Sequence, residues 1–218
     1  MSVSGARSAA LFLCAALLPG ARSCPADELQ SLVLPTPQTT GGKPLMQALR
    51  ERRTAREFRN DPLPPQVLAN LLWAAFGINR PASGGRTAPS AHDAQEISIY
   101  VVTAERVYLY DARGNALRLV LAGDVRALTG RQVFVQDAPV NLVYVADFDK
   151  FPRDSEADRI FYSAADAGFI SQNAYLYCAS EGLATMVRAY IDKPALAKAM
   201  LLKPGQHIVL AQSVGYPK

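Results

Sequence analysis

Three arginines and a threonine crowd the run Arg52-Arg53-Thr54-Ala55-Arg56, and the chemistry such a run can do is to hold a dianion. A guanidinium presents a planar fork of donors that matches phosphate geometry, and a hydroxyl adds one more. As the chain leaves a helix, alternate side chains come to the same side, so Arg52, Thr54 and Arg56 can close on one phosphate while Arg53 turns away. The plain alternative is a solvated helix end whose cations favour the negative end of the helix dipole. The run alone leaves both readings open.

Other reactive residues are sparse. Cys14, Cys24 and Cys178 make neither a disulfide framework nor a zinc spacing, and Cys178 falls in an apolar helix, where it reads as a small buried hydrophobe. His92 and His207, the two histidines, sit in no ligand pattern, so nothing points to a zinc site. His92 reads as a loop histidine in water. Gly84-Gly85 is too little for a dinucleotide fingerprint, and no Gly-x-Gly-x-x-Gly follows a strand. Arg86 and Arg188 are candidates for an anionic substrate or the nicotinamide donor, the alternative being a rim or dimer salt bridge.

The elements that must position these residues follow from periodicity. A helix begins near Pro44, with Leu45, Ala48 and Leu49 on one face, and delivers the arginines. Val67, Leu68, Leu71, Leu72, Ala75 and Phe76 recur at helical spacing between Pro64-Pro65 and Gly77, which predicts a core helix. Residues 79–95 are polar and glycine-rich, and so long a loop belongs to the site. Strands are expected at 97–102, at 106–110 and 116–121 as a hairpin, at 140–146 as a buried central strand, and at 184–190 and 207–214. Tyr108 and Tyr110 share one face of their strand and should pack there. Small residues from Ala164 to Ala179 mark a long helix over 155–181, ended by Gly182, whose close side must meet another backbone. A short helix is expected near 194–202. The fold class is α+β, a mostly antiparallel central sheet flanked by helices.

With 218 residues, half of them apolar, the chain suffices for one domain. Residues 1–23 read as a secretory signal peptide: Arg7, an apolar run from Ala9 to Leu18, then Pro19-Gly20-Ala21-Arg22-Ser23. That run is about half of the roughly 20 residues a spanning helix needs. Export to a bacterial periplasm is expected, with a membrane anchor only if Cys24 is lipidated. Residues 24–43 form an extended arm and 44–218 the domain. Without Arg7 and Arg22, 21 of the 23 basic residues remain against 19 acidic ones, a balance that gives no case for nucleic acid.

In order along the chain, Arg52-Arg53-Thr54-Ala55-Arg56-Glu57-Phe58, Leu71-Leu72-Trp73-Ala74-Ala75-Phe76-Gly77, Ala88-Pro89-Ser90-Ala91 with Gln95, Asp166-Ala167-Gly168 with Gln172-Asn173, Gly182-Leu183-Ala184-Thr185 and Val214-Gly215-Tyr216-Pro217 resemble the FMN-dependent nitroreductase family, in the branch related to azoline dehydrogenases of peptides. The resemblance implies a homodimer with FMN in the interface, contacted by both chains. It assigns Arg52 and Thr54 to the phosphate and ribityl end and Arg56 to the flavin N1/O2 edge, with Arg53 counted among the cofactor-binding residues. Pro89, Ser90, Ala91, Asp93 and Gln95 should line the ring, and the turn of Val187, Arg188, Ala189 and Tyr190 should offer backbone N–H groups to N5 and O4. It further implies ping-pong hydride transfer from NAD(P)H or another reductant to a nitroaromatic, quinone or enone. The alternatives are dehydrogenation of a peptide-derived azoline and a non-catalytic flavin-binding protein. Asp93 stands where the family usually has Asn, and a carboxylate beside a reduced anionic flavin is repulsive. Asp93→Asn is therefore expected to raise the flavin potential in a redox titration; an unchanged potential would show that Asp93 does not face the ring.

Overall fold

Met1 and residues 31–218 are described by the computed structural model. The rest of the expected signal segment and the arm's first residues, with Cys24, lie outside the described residues. In chain order the elements are β1 (Ser31–Val33), α1 (Leu45–Glu51), β2 (Phe58–Arg59), α2 (Pro65–Phe76), β3 (Ile78–Arg80), β4 (Gly85–Arg86), β5 (Ile97–Val102), β6 (Arg106–Asp111), β7 (Ala116–Ala122), β8 (Val140–Asp147), α3 (Glu156–Glu181), β9 (Ala184–Arg188), α4 (Lys193–Ala199) and β10 (Gln206–Pro217). The main sheet runs β1-β7-β6-β5-β8-β10-β2, with β9 also on β10, and every pairing in it is antiparallel.

Period-two geometry explains why β8 is apolar throughout. Its Val140, Leu142, Tyr144 and Ala146 face one core with α2 and α3, whereas Val143 and Val145 face a second with Leu196 and Met200 at α4. Burial on both faces admits polar groups only where they are hydrogen-bonded, as Asn141 and the Tyr144 hydroxyl are, with Asp147 at the less buried end. α3 starts where the Ser155 hydroxyl accepts the Asp158 N–H, and ends at Gly182, whose φ of 71° lies where only glycine is unstrained. Its small residues Ala167, Ser171, Ala174 and Cys178 are buried within the chain against α2 and the sheet. The close backbone neighbour expected of that face is thus intramolecular.

Three further expectations need correction. Leu45 and Leu49 are exposed, and of α1 only Ala48 is buried, because the helix lays a single small residue on α3. The 79–95 segment is not a plain loop: Ile78–Arg80 and Gly85–Arg86 pair as a hairpin, and Ala91–Asp93 forms a 3-10 turn. Within the arm, β1 adds to the sheet edge on β7 and Leu34 is buried in the main core. No helix among the described residues is long and apolar enough to cross a membrane.

Candidate functional site

α1 hands the arginines to the site. Arg52 caps the helix, its N–H donating to Ala48 O at 2.8 Å, and the chain then extends until the Ala55 N–H reaches Thr185 O at 3.0 Å and Phe58 is buried. A cavity of about 510 Å³ opens between this run, the end of α3 and Pro217. Arg50, Arg52 and Arg53 line it; Thr54 and Arg56 do not. The expected alternation is corrected here, because Arg52 still belongs to the helix end and strand-like alternation starts only after it. None of Arg50, Arg52, Arg53 and Arg56 has a carboxylate within 4.0 Å among the described residues. Lys43, at the end of the arm, reaches the same cavity but is tied to Glu51 at 2.7 Å and to Ala179 O at 3.1 Å.

Tyr175 joins this end to β9. Its hydroxyl lies 3.1 Å from that of Thr54 and accepts the Val187 N–H at 3.0 Å, while its ring lies 5.3 Å from the Arg52 guanidinium carbon. Val187 is therefore corrected as a ring donor, since its N–H is already bound. Sequence reading missed Tyr175 because a tyrosine on a small-residue helix looks like packing; only the tertiary fold shows where its hydroxyl goes.

Arg188 is corrected more sharply. It is 4% exposed, and its guanidinium donates to Thr129 O (3.0 Å), Thr129 Oγ1 (2.7 Å), Asn141 Oδ1 (2.7 Å) and Ser213 Oγ (2.8 Å). Four of its five N–H donors are used inside the core, so it does not face a substrate, and no salt bridge is made. Burial without a counter-charge pulls the guanidinium down to about 10. Gly130 has to be glycine for this, because a Cβ there would meet Arg188 Nε at 2.4 Å. Beyond it, the Ala189 and Tyr190 carbonyls accept from Ile191 and Arg131, so the turn is braced from both sides and both residues stay exposed.

The third group, 89–95, lies elsewhere on α3. Asp166 accepts the Ala91 N–H at 2.8 Å, the His92 ring meets Tyr162 edge-on at 5.2 Å, and the Ser90 hydroxyl accepts the Gln95 N–H and donates to Glu96. Pro89 and Asp93 are exposed, and Asp93 accepts from the Gln95 amide at 3.1 Å. His92, Asp93 and Gln95 carry φ of 54°, 53° and 47°; such left-handed residues cost roughly 1–2 kcal/mol each and gather at functional sites. Asp166 and Tyr175 are nine residues apart in one helix, which is two and a half turns, opposite faces and about 14 Å along the axis. Within a chain the structure unites Arg52, Arg53, Thr54 and Val187, and does not bring them to Pro89, Ser90, Ala91, Asp93 and Gln95.

Behind this loop Glu96 (0% exposed) and Asp166 (3% exposed) are buried without a cation. Glu96 Oε1 and Ser163 Oγ have no bonding partner. Burial first, then the Asp166 charge, raises the Glu96 carboxyl above its ordinary range. The folded chain thus holds this proton more tightly than the unfolded one. Its contribution is full below the ordinary carboxylate range, near pH 4.5, and is lost as pH rises. Glu96→Gln is accordingly expected to gain stability on the wild type at pH 8 relative to pH 4.5, read as the difference of their thermal midpoints against pH; parallel curves would refute it. The Cys178 thiol, fully buried, is pushed up to about 12 and does not belong to the chemistry. No cluster of metal-ligating side chains exists among the described residues.

The nitroreductase family model matches residues 49–216. A curated relative from Methanocaldococcus jannaschii, described as a nitroreductase, is 31% identical over 183 residues, covering 78% of this chain and 90% of its own. A crystal structure from Ralstonia eutropha, similarly described, is 42% identical with a TM-score of 0.83, over 87% of this chain and 90% of that one. The NADPH:FMN oxidoreductase of Vibrio harveyi shares the fold at 19% identity and a TM-score of 0.60, over 80% and 69% of the two chains. With its antiparallel sheet, helix-borne arginine run and these relatives, the chain belongs to the nitroreductase family.

Proposed function

We propose that the chain is an FMN-dependent oxidoreductase of ping-pong type, taking electrons from a donor and passing them to a small electron-poor acceptor such as a nitroaromatic, quinone or enone. The observation that carries this is the cavity lined by Arg50, Arg52 and Arg53, three guanidiniums without a carboxylate partner. That donor set fits a phosphate ester. When bound, FMN supplies the hydride chemistry at N5. Arg52 and Arg53 would hold its phosphate, Thr54 the ribityl chain, and Arg56, exposed beside the cavity, would offer a cation to the N1/O2 edge, where reduction places negative charge. The N–H groups of Ala189 and Tyr190, on the braced turn, serve N5 and O4.

A homodimer completes the site in this reading. One chain's 89–95 loop is too far round α3 to line a flavin held by its own arginines, so a second copy supplies it. Exposed Leu45, Met46 and Leu49 on α1 and Ile160, Phe161 and Phe169 on α3 offer the apolar surface for such a partner. Export, if residues 1–23 are a signal, would make the reductant a quinol or a protein rather than NAD(P)H.

The test is to express the chain from residue 24, identify the released chromophore by mass, and screen NADH, NADPH and quinols anaerobically. The expected result is a yellow dimer with one FMN per chain that bleaches with one class of donor. A colourless monomer that leaves added FMN free in solution would overturn it.

A further inference from the structure

A second basic cleft, of about 230 Å³, lies behind the 89–95 loop. Arg86 reaches it from β4, Arg113 from the β6–β7 turn, Arg118 from β7 and Lys150 from the turn after β8, against a single carboxylate, Asp111. Asp111 is already used: it accepts the N–H groups of Arg113 and Gly114 and lies 3.6 Å from Arg118. Arg86, Arg113 and Lys150 therefore have no carboxylate within 4.0 Å among the described residues.

Arg86 is held in place rather than free. Its Nε donates to Gln95 Oε1 at 2.8 Å and its Nη1 to Phe76 O at 3.0 Å, with the guanidinium 4.8 Å from the centre of the Phe76 ring. Lys150 Nζ donates to the Gln95 carbonyl at 2.7 Å, so two cations converge on one residue of the loop. Burial, with Arg113 adding to it, draws the Arg86 guanidinium below its usual range. Burial likewise pushes the Tyr110 phenol up to about 12, so it remains a neutral donor in the cleft. Arg86, half-buried and without counter-charge, is costly to keep so until an anion arrives, and the exposed Arg113 and Lys150 add to the same positive field.

We infer that this cleft binds the carboxylate or phosphate group of an anionic substrate whose electron-poor centre lies on the flavin side of Gln95. At about 230 Å³ it falls below the roughly 300–1,000 Å³ that hold whole drug-sized ligands, so it takes a head group and not a dinucleotide. The inference deepens the proposed function and rests on the 89–95 loop lining the flavin; anion binding by the cleft does not.

The test is calorimetric titration of the purified protein, with FMN added, by 4-nitrobenzoate, 4-nitrophenyl phosphate and neutral 4-nitrobenzamide, with benzoate in parallel. At least one anion should bind about tenfold more tightly than the amide, one charge-assisted contact's worth, and whichever anion wins identifies the head group. Arg86→Gln should abolish the preference. Lys150→Gln and Arg113→Gln, on exposed side chains whose loss leaves the fold intact, should each cut it severalfold. FMN retained with equal affinities for acid and amide would overturn the cleft while sparing the flavin reading. Benzoate binding that Lys150→Gln weakens, in a protein that does not retain FMN, would sustain the cleft and overturn the flavin reading.

Discussion

Replacing Arg188 by methionine is expected to cost about 3–5 kcal/mol of folding stability, the largest effect of any single substitution outside the apolar core. Four oxygens, two of them on Thr129, lose the guanidinium at once; Asn141 Oδ1 keeps only the Ser213 hydroxyl, and all lie where water does not reach. Opposing this is the relief of removing a buried cation that has no counter-ion. The loss prevails because methionine can pair with none of the four oxygens, while the Ser213 hydroxyl, already donating to Asn141 at 2.6 Å, cannot turn to Thr129. Thermal unfolding should fall by on the order of 10 °C, since each kcal/mol shifts a domain of this size by roughly 2–4 °C. Arg188→Lys, which keeps the charge but not the fork, should recover only part of it. A methionine variant within 2 °C or so of wild type would mean that the network rearranges freely. The same substitution should loosen the Ala189–Tyr190 turn, because Thr129 and Arg131 brace it from the neighbouring segment.

The second large effect concerns the cofactor. Arg52→Gln should weaken FMN binding about 10- to 100-fold, the worth of one charge-assisted contact of about 1.5–3 kcal/mol. Arg52 lies over Tyr175 with no carboxylate to hold it, so its donors stay available to a phosphate. Glu51 supplies an internal control of opposite sign. It shares the cavity, and its carboxyl is held below the ordinary range chiefly by the hydrogen bond from Lys43. Glu51→Gln removes a negative charge and frees Lys43, so it should tighten FMN. Fluorescence titration of both variants decides the matter: equal loss in both would point to disturbed folding of α1, and no change in either would remove the phosphate from this cavity.

Much of this architecture was legible from residue order because its causes are local. Pro64-Pro65 and Gly77 bound α2, Ser155 and Gly182 bound α3, and the unbroken apolar run of β8 could only be a strand covered on both faces. The arginine run was legible as a cluster of cations flanked by Glu51 and Glu57, and the structure shows that Glu51 pairs with Lys43 and not with the arginines. What spacing could not supply was direction. Arg53 shares the cavity with Arg52 because the helix cap delays the onset of alternation, a matter of one residue's ψ. Arg188 and Arg86 looked alike in the chain, each a single arginine near a predicted site. Tertiary contacts separated them, since Thr129, Asn141 and Ser213 come from three distant segments to satisfy the first, while no carboxylate comes to the second. Tyr175, Glu96 and Asp166 gained their places the same way: a side chain's type fixes what it can bond, but only the packing of elements remote in sequence determines whether a partner is within 3 Å.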